Sequence, residues 1–222
     1  MSALGRPRLH LRTTGSTNDR ARELAAAGAP HGTLVTTGEQ TAGRGRQGRT
    51  WSAPAGQALL LSLVLRDPPP LLPLRAGLAV ACVAGDAARV KWPNDVLLDG
   101  RKLAGILVEA RPQDGWAVLG IGLNAAVDLA ALPEEIRVRA ATLDRPPEAV
   151  LADLLPALEA RLAESDEPTL AELRERDALL GRPIRWEGGA GVGAGIGDDG
   201  TLLVRTDDAV VRLAAGEVHL GG

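Results

Sequence analysis

The chain's 222 residues carry 25 basic and 28 acidic side chains, a formal net charge of −3, and one cysteine. That length buries a sizeable core as one large domain or two unequal ones, and the charge balance excludes a global basic field for nucleic-acid or membrane binding. One cysteine excludes a disulfide framework and a thiolate metal cluster; with no signal-like start and no apolar run of about 18 residues, a soluble, cytoplasmic protein is expected.

In chain order, the alternation of "LHLRT" from Leu9 predicts a strand. Ser16 with Asp19 resembles a capping box for a helix running to Gly28. "GTLVTTGEQ" predicts a second strand that feeds the loop "TAGRGRQGRTW", Thr41 to Trp51, and "QALLLSLVLR" a buried third. Pro68 to Pro70 break the chain before an apolar helix over 74–88. Asp99-Gly100 and Asp114-Gly115 each separate β-rich runs, the hairpin signal that makes the central sheet at least partly antiparallel. Helices are predicted over 148–164, with Pro156 inside as a kink, and over 170–180, stopped by Gly181. From Arg182 short glycine-punctuated strands, turning at Asp199-Gly200 and Asp207-Asp208, predict a small β-barrel domain.

Of the 25 basic residues only Lys91 and Lys102 are lysines, and the asparagines are Asn18, Asn94 and Asn124. In a chain rich in Ala, Gly, Pro, Leu and Arg and without Phe or Tyr, these survivors are candidates for chemistry that arginine or aspartate cannot replace. Lys91, Asn94 and Lys102 share the window "KWPNDVLLDGRK". A lysine is a compact charge that reaches between a carboxylate and a phosphate, and Gly105 lets backbone approach the same ligand. In the loop, glycines offer unhindered N–H groups and arginines planar forks, a fit for a small anionic ligand, with Trp51 as a wall for a ring. A nucleic-acid tract would need a basic footprint and aromatic stacking that the chain lacks. "GIGLNA" from Gly120 matches a loose dinucleotide pattern, but the preceding hairpins contradict a parallel βαβ unit; it is better read as a glycine strand that a ligand lies against. Cys82 is expected to be inert core, the three histidines show no metal-ligand spacing, and Glu109 is read as closing a strand.

Together, "STN" at Ser16, "GRGRQGRTW" at Gly43, "KWPND" at Lys91, "RKLAGILVE" at Arg101 and "GIGLN" at Gly120 resemble biotin protein ligase, in order and spacing over most of the chain. The resemblance implies an α+β fold: a class II aminoacyl-tRNA synthetase-like catalytic domain over 1–180, its mixed, largely antiparallel sheet flanked by helices, and an SH3-like barrel over 181–222. It implies two steps. Biotin and MgATP give biotinyl-5'-AMP and pyrophosphate, and the adenylate is then attacked by one lysine of a biotin carboxyl carrier domain.

By the same resemblance Lys102, Arg44 and Arg46 are catalytic. Biotin is held by Ser16, Thr17, Asn18 and Gln40, by the loop residues Gly43, Arg44, Gly45 and Arg46, and by Lys102, Gly105 and Gly120. The nucleotide is held by Arg46, Trp51, Lys91, Asn94, Asp95, Lys102 and Asn124; the Mg²⁺ ligands are left open. Many bacterial members carry an N-terminal winged helix-turn-helix. With the catalytic motif starting at Ser16, a ligase without DNA-binding repressor activity is expected. A lipoate or octanoyl ligase would share the fold, and a passive biotin binder would need no lysine at the carboxylate. The sequence leaves oligomeric state open, a homodimer included.

Overall fold

The computed structural model describes residues 4–221. Seven strands make the main sheet: β1 (Arg8–Leu11), β2 (Leu34–Thr37), β3 (Ala58–Arg66), β4 (Ala88–Lys91), β5 (Asp95–Leu98), β6 (Arg101–Arg111) and β7 (Trp116–Asn124). Their order is β1-β2-β3-β7-β6-β5-β4, with β1 and β2 parallel and every other neighbour antiparallel. Both hairpins fall where Asp-Gly pairs predict them. Asp99 (φ 50°) and Gly100 (φ 75°) make the β5–β6 turn in left-handed backbone that aspartate tolerates and glycine favours.

Helix α1 (Thr17–Ala26) covers one face of the sheet, setting Ala21 and Ala25 against Val35, Val64 and Val118. Helices α2 (Leu72–Ala84) and α4 (Pro147–Ala163) pack together across the other face, over the large leucine-rich core. Helix α3 (Glu134–Arg137) is one short turn, and α5 (Asp166–Glu175) packs against α2. Central β3 is buried on both faces, which explains its near-continuous apolar sequence. Arg75 of α2 is 1% exposed, and it is tolerated because its guanidinium donates to the carbonyls of Pro70, Arg161 and Glu164, to Thr169, and to Asp166.

A second, five-stranded antiparallel sheet follows: β8 (Pro183–Trp186), β9 (Gly189–Ile196), β10 (Leu202–Arg205), β11 (Val210–Leu213) and β12 (His219–Leu220), in the order β11-β10-β9-β8-β12. Trp92 Nε1 donates to the Gly200 carbonyl at 3.1 Å, tying the β9–β10 turn to the "KWPND" segment.

Three expectations are corrected. Helix α2 starts at Leu72, right after a left-handed Leu71 (φ 59°), and stops at Ala84, because Ala88 already pairs in β4. Helix α5 spans 166–175 rather than 170–180: Asp177 bridges to Val90 and Leu180 to Gly193, so tertiary pairing takes those residues out of the helix. Cys82 lies on the outward side of α2 and is exposed, not core. Among the described residues no helix is long and apolar enough to cross a membrane.

Candidate functional site

The site follows from the period-two geometry of the sheet. Val118, Gly120 and Gly122 alternate onto the face that α1 covers; opposite them lie Val64, Ser62 and Leu60 of β3, and Glu109, Leu107 and Gly105 of β6. Helix α1 packs over the valine end. At the next step Asn18 takes the space above Gly120, where a Cβ would stand 2.0 Å from Asn18 Oδ1. One step further Trp51 lies over Gly122 and Gly105, where a Cβ would come within 2.5 Å and 3.0 Å of its ring. The glycine strand is therefore a floor for the protein's own Asn18 and Trp51.

Ser16 holds the N-cap position of α1 in extended backbone, but its side chain makes no capping hydrogen bond, contrary to the capping-box expectation; it lines the cavity instead. Thr17 donates to Gln40 Oε1 through its backbone N (2.7 Å) and its hydroxyl (3.1 Å). Ser62 Oγ lies 2.8 Å from Thr17 Oγ1 and 2.6 Å from Asn18 Oδ1. Three oxygen–oxygen contacts thus share two hydroxyl protons, since neither amide oxygen has one. The cluster has an acceptor to spare.

The arginine loop closes on itself. Arg44 pairs with Thr50 in an isolated bridge, the Trp51 amide donates to the Gly43 carbonyl at 3.0 Å, and a Cβ on Gly43 would meet the Trp51 carbonyl at 2.3 Å. Arg44 Nη2 reaches Asp19 (2.8 Å) and Glu109 (2.7 Å), Arg46 donates to Asn94 Oδ1 (3.2 Å), and Arg49 pairs with Glu217 ahead of β12. Lys102 Nζ lies 2.8 Å from Asp95 and 5.7 Å from the Trp51 ring centre; Lys91 stands 3.7 Å from the same carboxylate. Burial pushes the Lys91 ammonium below its usual range, Lys102 and Arg49 push it the same way, and Asp95 and Glu217 oppose them.

These groups enclose a cavity of about 90 Å³. Ser16, Thr17, Asn18, Gln40, Arg44, Gly45, Arg46, Trp51, Asn94, Asp95, Lys102, Gly105 and Gly120, all anticipated from sequence, line it. Gly43 shapes the loop and Lys91 stands behind Asp95; neither lines the cavity. Asn124 lines a neighbouring apolar cavity of about 780 Å³, which shares Trp51 and Lys102 with the first and includes Val127, Leu132 and Ile136. Among the first cavity's lining, Arg44, Arg46, Arg49 and Lys102 are cationic and Asp95 and Glu217 anionic. Two donors of lining residues, Arg44 Nε and Trp51 Nε1, are buried without a partner. Surplus positive charge and unpaired donors fit an anionic guest.

Glu109, Ser62, Arg49 and Glu217 were not anticipated. Glu109, expected to close a strand, stands two residues before the end of β6 and accepts from Asn18, Arg22 and Arg44 at once. Ser62 carries one sequence signal, as the one polar residue in the interior of an otherwise apolar strand that ends at Arg66.

The model of the biotin/lipoate A/B protein ligase family matches residues 11–125. The chain is 38% identical to the biotin–[acetyl-CoA-carboxylase] ligase of Mycobacterium tuberculosis, over 93% of this chain and 86% of that protein. It is 37% identical to the Paracoccus denitrificans ligase of the same name, over 96% and 100%. To the bifunctional ligase/repressor BirA of Bacillus spizizenii it is 31% identical, over 98% of this chain and 75% of that one. In structure it resembles the biotin protein ligase of Aquifex aeolicus in complex with biotin and ATP, at a TM-score of 0.84 and 27% identity, covering 97% of this chain and 99% of that chain.

Proposed function

We propose, from the premise that this chain belongs to the biotin/lipoate A/B protein ligase family, that it is an ATP-dependent biotin ligase. It activates biotin as biotinyl-5'-AMP and passes the biotinyl group to a lysine of a biotin carboxyl carrier domain. The observation that carries this reading is the meeting of two unlike cavities at Lys102 and Trp51. The polar one has a ready acceptor for a ureido N–H in the Thr17–Ser62–Asn18 cluster, and the apolar one has room for an adenosine. Where they join, a carboxylate on one side faces an α-phosphate on the other.

In the first step a carboxylate oxygen of biotin attacks the α-phosphorus, the bond to the β-phosphate oxygen breaks, and pyrophosphate leaves. The carboxylate is already ionised, so no base is needed. The barrier lies in bringing two anions together, and Lys102, Arg44 and Arg46 lower it by neutralising charge without losing alignment. In the second step the carrier amine attacks the acyl carbon, AMP leaves, and the ammonium proton is lost to water. The loop over the cavity protects the adenylate from hydrolysis meanwhile.

Mg²⁺ accompanies ATP. Among the described residues no three carboxylate, histidine or cysteine groups gather as a cage. That suits an ion that keeps waters and phosphate oxygens and takes one or two carboxylates from protein, and Asp95 is the carboxylate beside Lys102. We assign residues 1–180 to a class II synthetase-like catalytic domain and 181–222 to an SH3-like barrel; the bulged antiparallel β8–β12 sheet supports the latter. Incubation with biotin, ATP, Mg²⁺ and a carrier domain tests the function: mass spectrometry is expected to find one biotinyl group on the carrier lysine and none after Lys→Arg there. An unmodified carrier would overturn it.

A further inference from the structure

The geometry points to Glu109 as the positioning residue that keeps the head-group cluster receptive to an N–H donor, by fixing which way the Asn18 amide faces. This rests on the biotin-ligase reading and deepens it.

A carboxylate in an ion-paired cluster only accepts. Glu109 Oε2 lies 2.8 Å from Asn18 Nδ2 and 2.7 Å from Arg44 Nη2, and Oε1 lies 3.1 Å from Arg22 Nη1. Asn18, 4% exposed, must therefore turn its NH2 to Glu109 and its oxygen to Ser62. The reverse orientation would give Ser62 a donor and close the cluster on itself: each of the three contacts would have its own proton, and the amide oxygen would face away from the cluster. Gly120 makes the position unforgiving, since the amide oxygen occupies the space a Cβ would need. With Arg44 on the same carboxylate, one group ties head-group recognition to the arginine loop.

The test is a swap. In Glu109→Gln the new amide tolerates either Asn18 orientation; in Asn18→Asp two carboxylates face each other. Each is expected to weaken biotin binding, read by calorimetry without ATP, about tenfold or more, the scale of a hydrogen bond to a charged group. In the double variant Asn18→Asp/Glu109→Gln the amide now at position 109 donates back to the carboxylate now at position 18, and Arg44 Nη2, which shared the oxygen that this nitrogen replaces, keeps Asp19. The other oxygen of that carboxylate again accepts from Ser62, so affinity is expected to recover to within about threefold of wild type, a coupling that independent sites would not show. In pyrophosphate exchange the single variants are expected to raise KM for biotin and leave KM for ATP within about threefold. Wild-type biotin affinity in Glu109→Gln, or additive losses in the double variant, would overturn the inference while the ligase reading stands. Absence of both biotin binding and exchange in the wild type would overturn the ligase reading itself.

Discussion

Asp95 Oδ1 lies 2.8 Å from Lys102 Nζ, holding the ammonium at the border of the two cavities, within 5.7 Å of the Trp51 ring centre. The carboxylate fixes where the ammonium sits, at the one place that both cavities share with Trp51. Lys102→Ala is expected to lower biotin-dependent exchange by about 10²–10³-fold, the usual cost of losing a donor that faces developing charge. Lys102→Arg is expected to recover little of it, because a planar fork does not fit a site built for a compact charge. At 40% side-chain exposure the lysine contributes little to stability, so melting temperature serves as the fold control.

Gly122→Ala places a methyl 2.5 Å from the Trp51 ring and is expected to expel the ring from the floor between the cavities. Biotin affinity should fall and tryptophan fluorescence change. Gly15→Ala, where no atom beyond the adjacent residues lies within 4 Å of the added carbon, is the control and is expected to bind as wild type does.

Arg49 and Glu217 join the arginine loop to the segment before β12, with side chains 51% and 28% exposed. A pair that open contributes no more than about 1 kcal/mol to global stability. Its effect is local. Glu217→Gln is expected to leave the melting temperature nearly unchanged and to speed tryptic cleavage after Arg46 and Arg49; unchanged cleavage would show that the loop is held without this tether.

Asp177 has one buried oxygen without a hydrogen-bond partner. Burial raises its carboxyl above the usual 3.8, against the opposing backbone donors of Leu179 and Leu180. Between 3.8 and the raised value the native state binds more protons than the unfolded chain, so the stability this group contributes is present in acid and lost as pH rises through the native value. Asp177→Asn is therefore expected to melt above wild type at pH 7, by roughly 2–4 °C for each kcal/mol relieved, with the gap closing towards acid pH.

Much of this architecture is legible in the sequence because its signals are local. Asp99-Gly100 and Asp114-Gly115 mark the hairpins that make the sheet antiparallel, and two lysines in an arginine-rich chain mark the charged centre. What escaped depends on long-range partners. Glu109 reads as the end of a strand until the sheet places it over Asn18 and Arg44, residues 91 and 65 positions away. Leu180 reads as helix until its bridge to Gly193 is seen. Cys82 sits in an apolar run, but the run belongs to a helix with an outward side, so position on the helix decides its exposure.

Adenylation of biotin where the two cavities meet is what the Lys102 geometry predicts. Its most direct test is exchange of labelled pyrophosphate into ATP by the purified chain with Mg²⁺, with biotin, lipoate or octanoate as the acid. Exchange with biotin alone, lowered about 10²–10³-fold in Lys102→Ala, is the expected result. No exchange with any acid despite measurable biotin binding would make the protein a biotin binder and not a ligase.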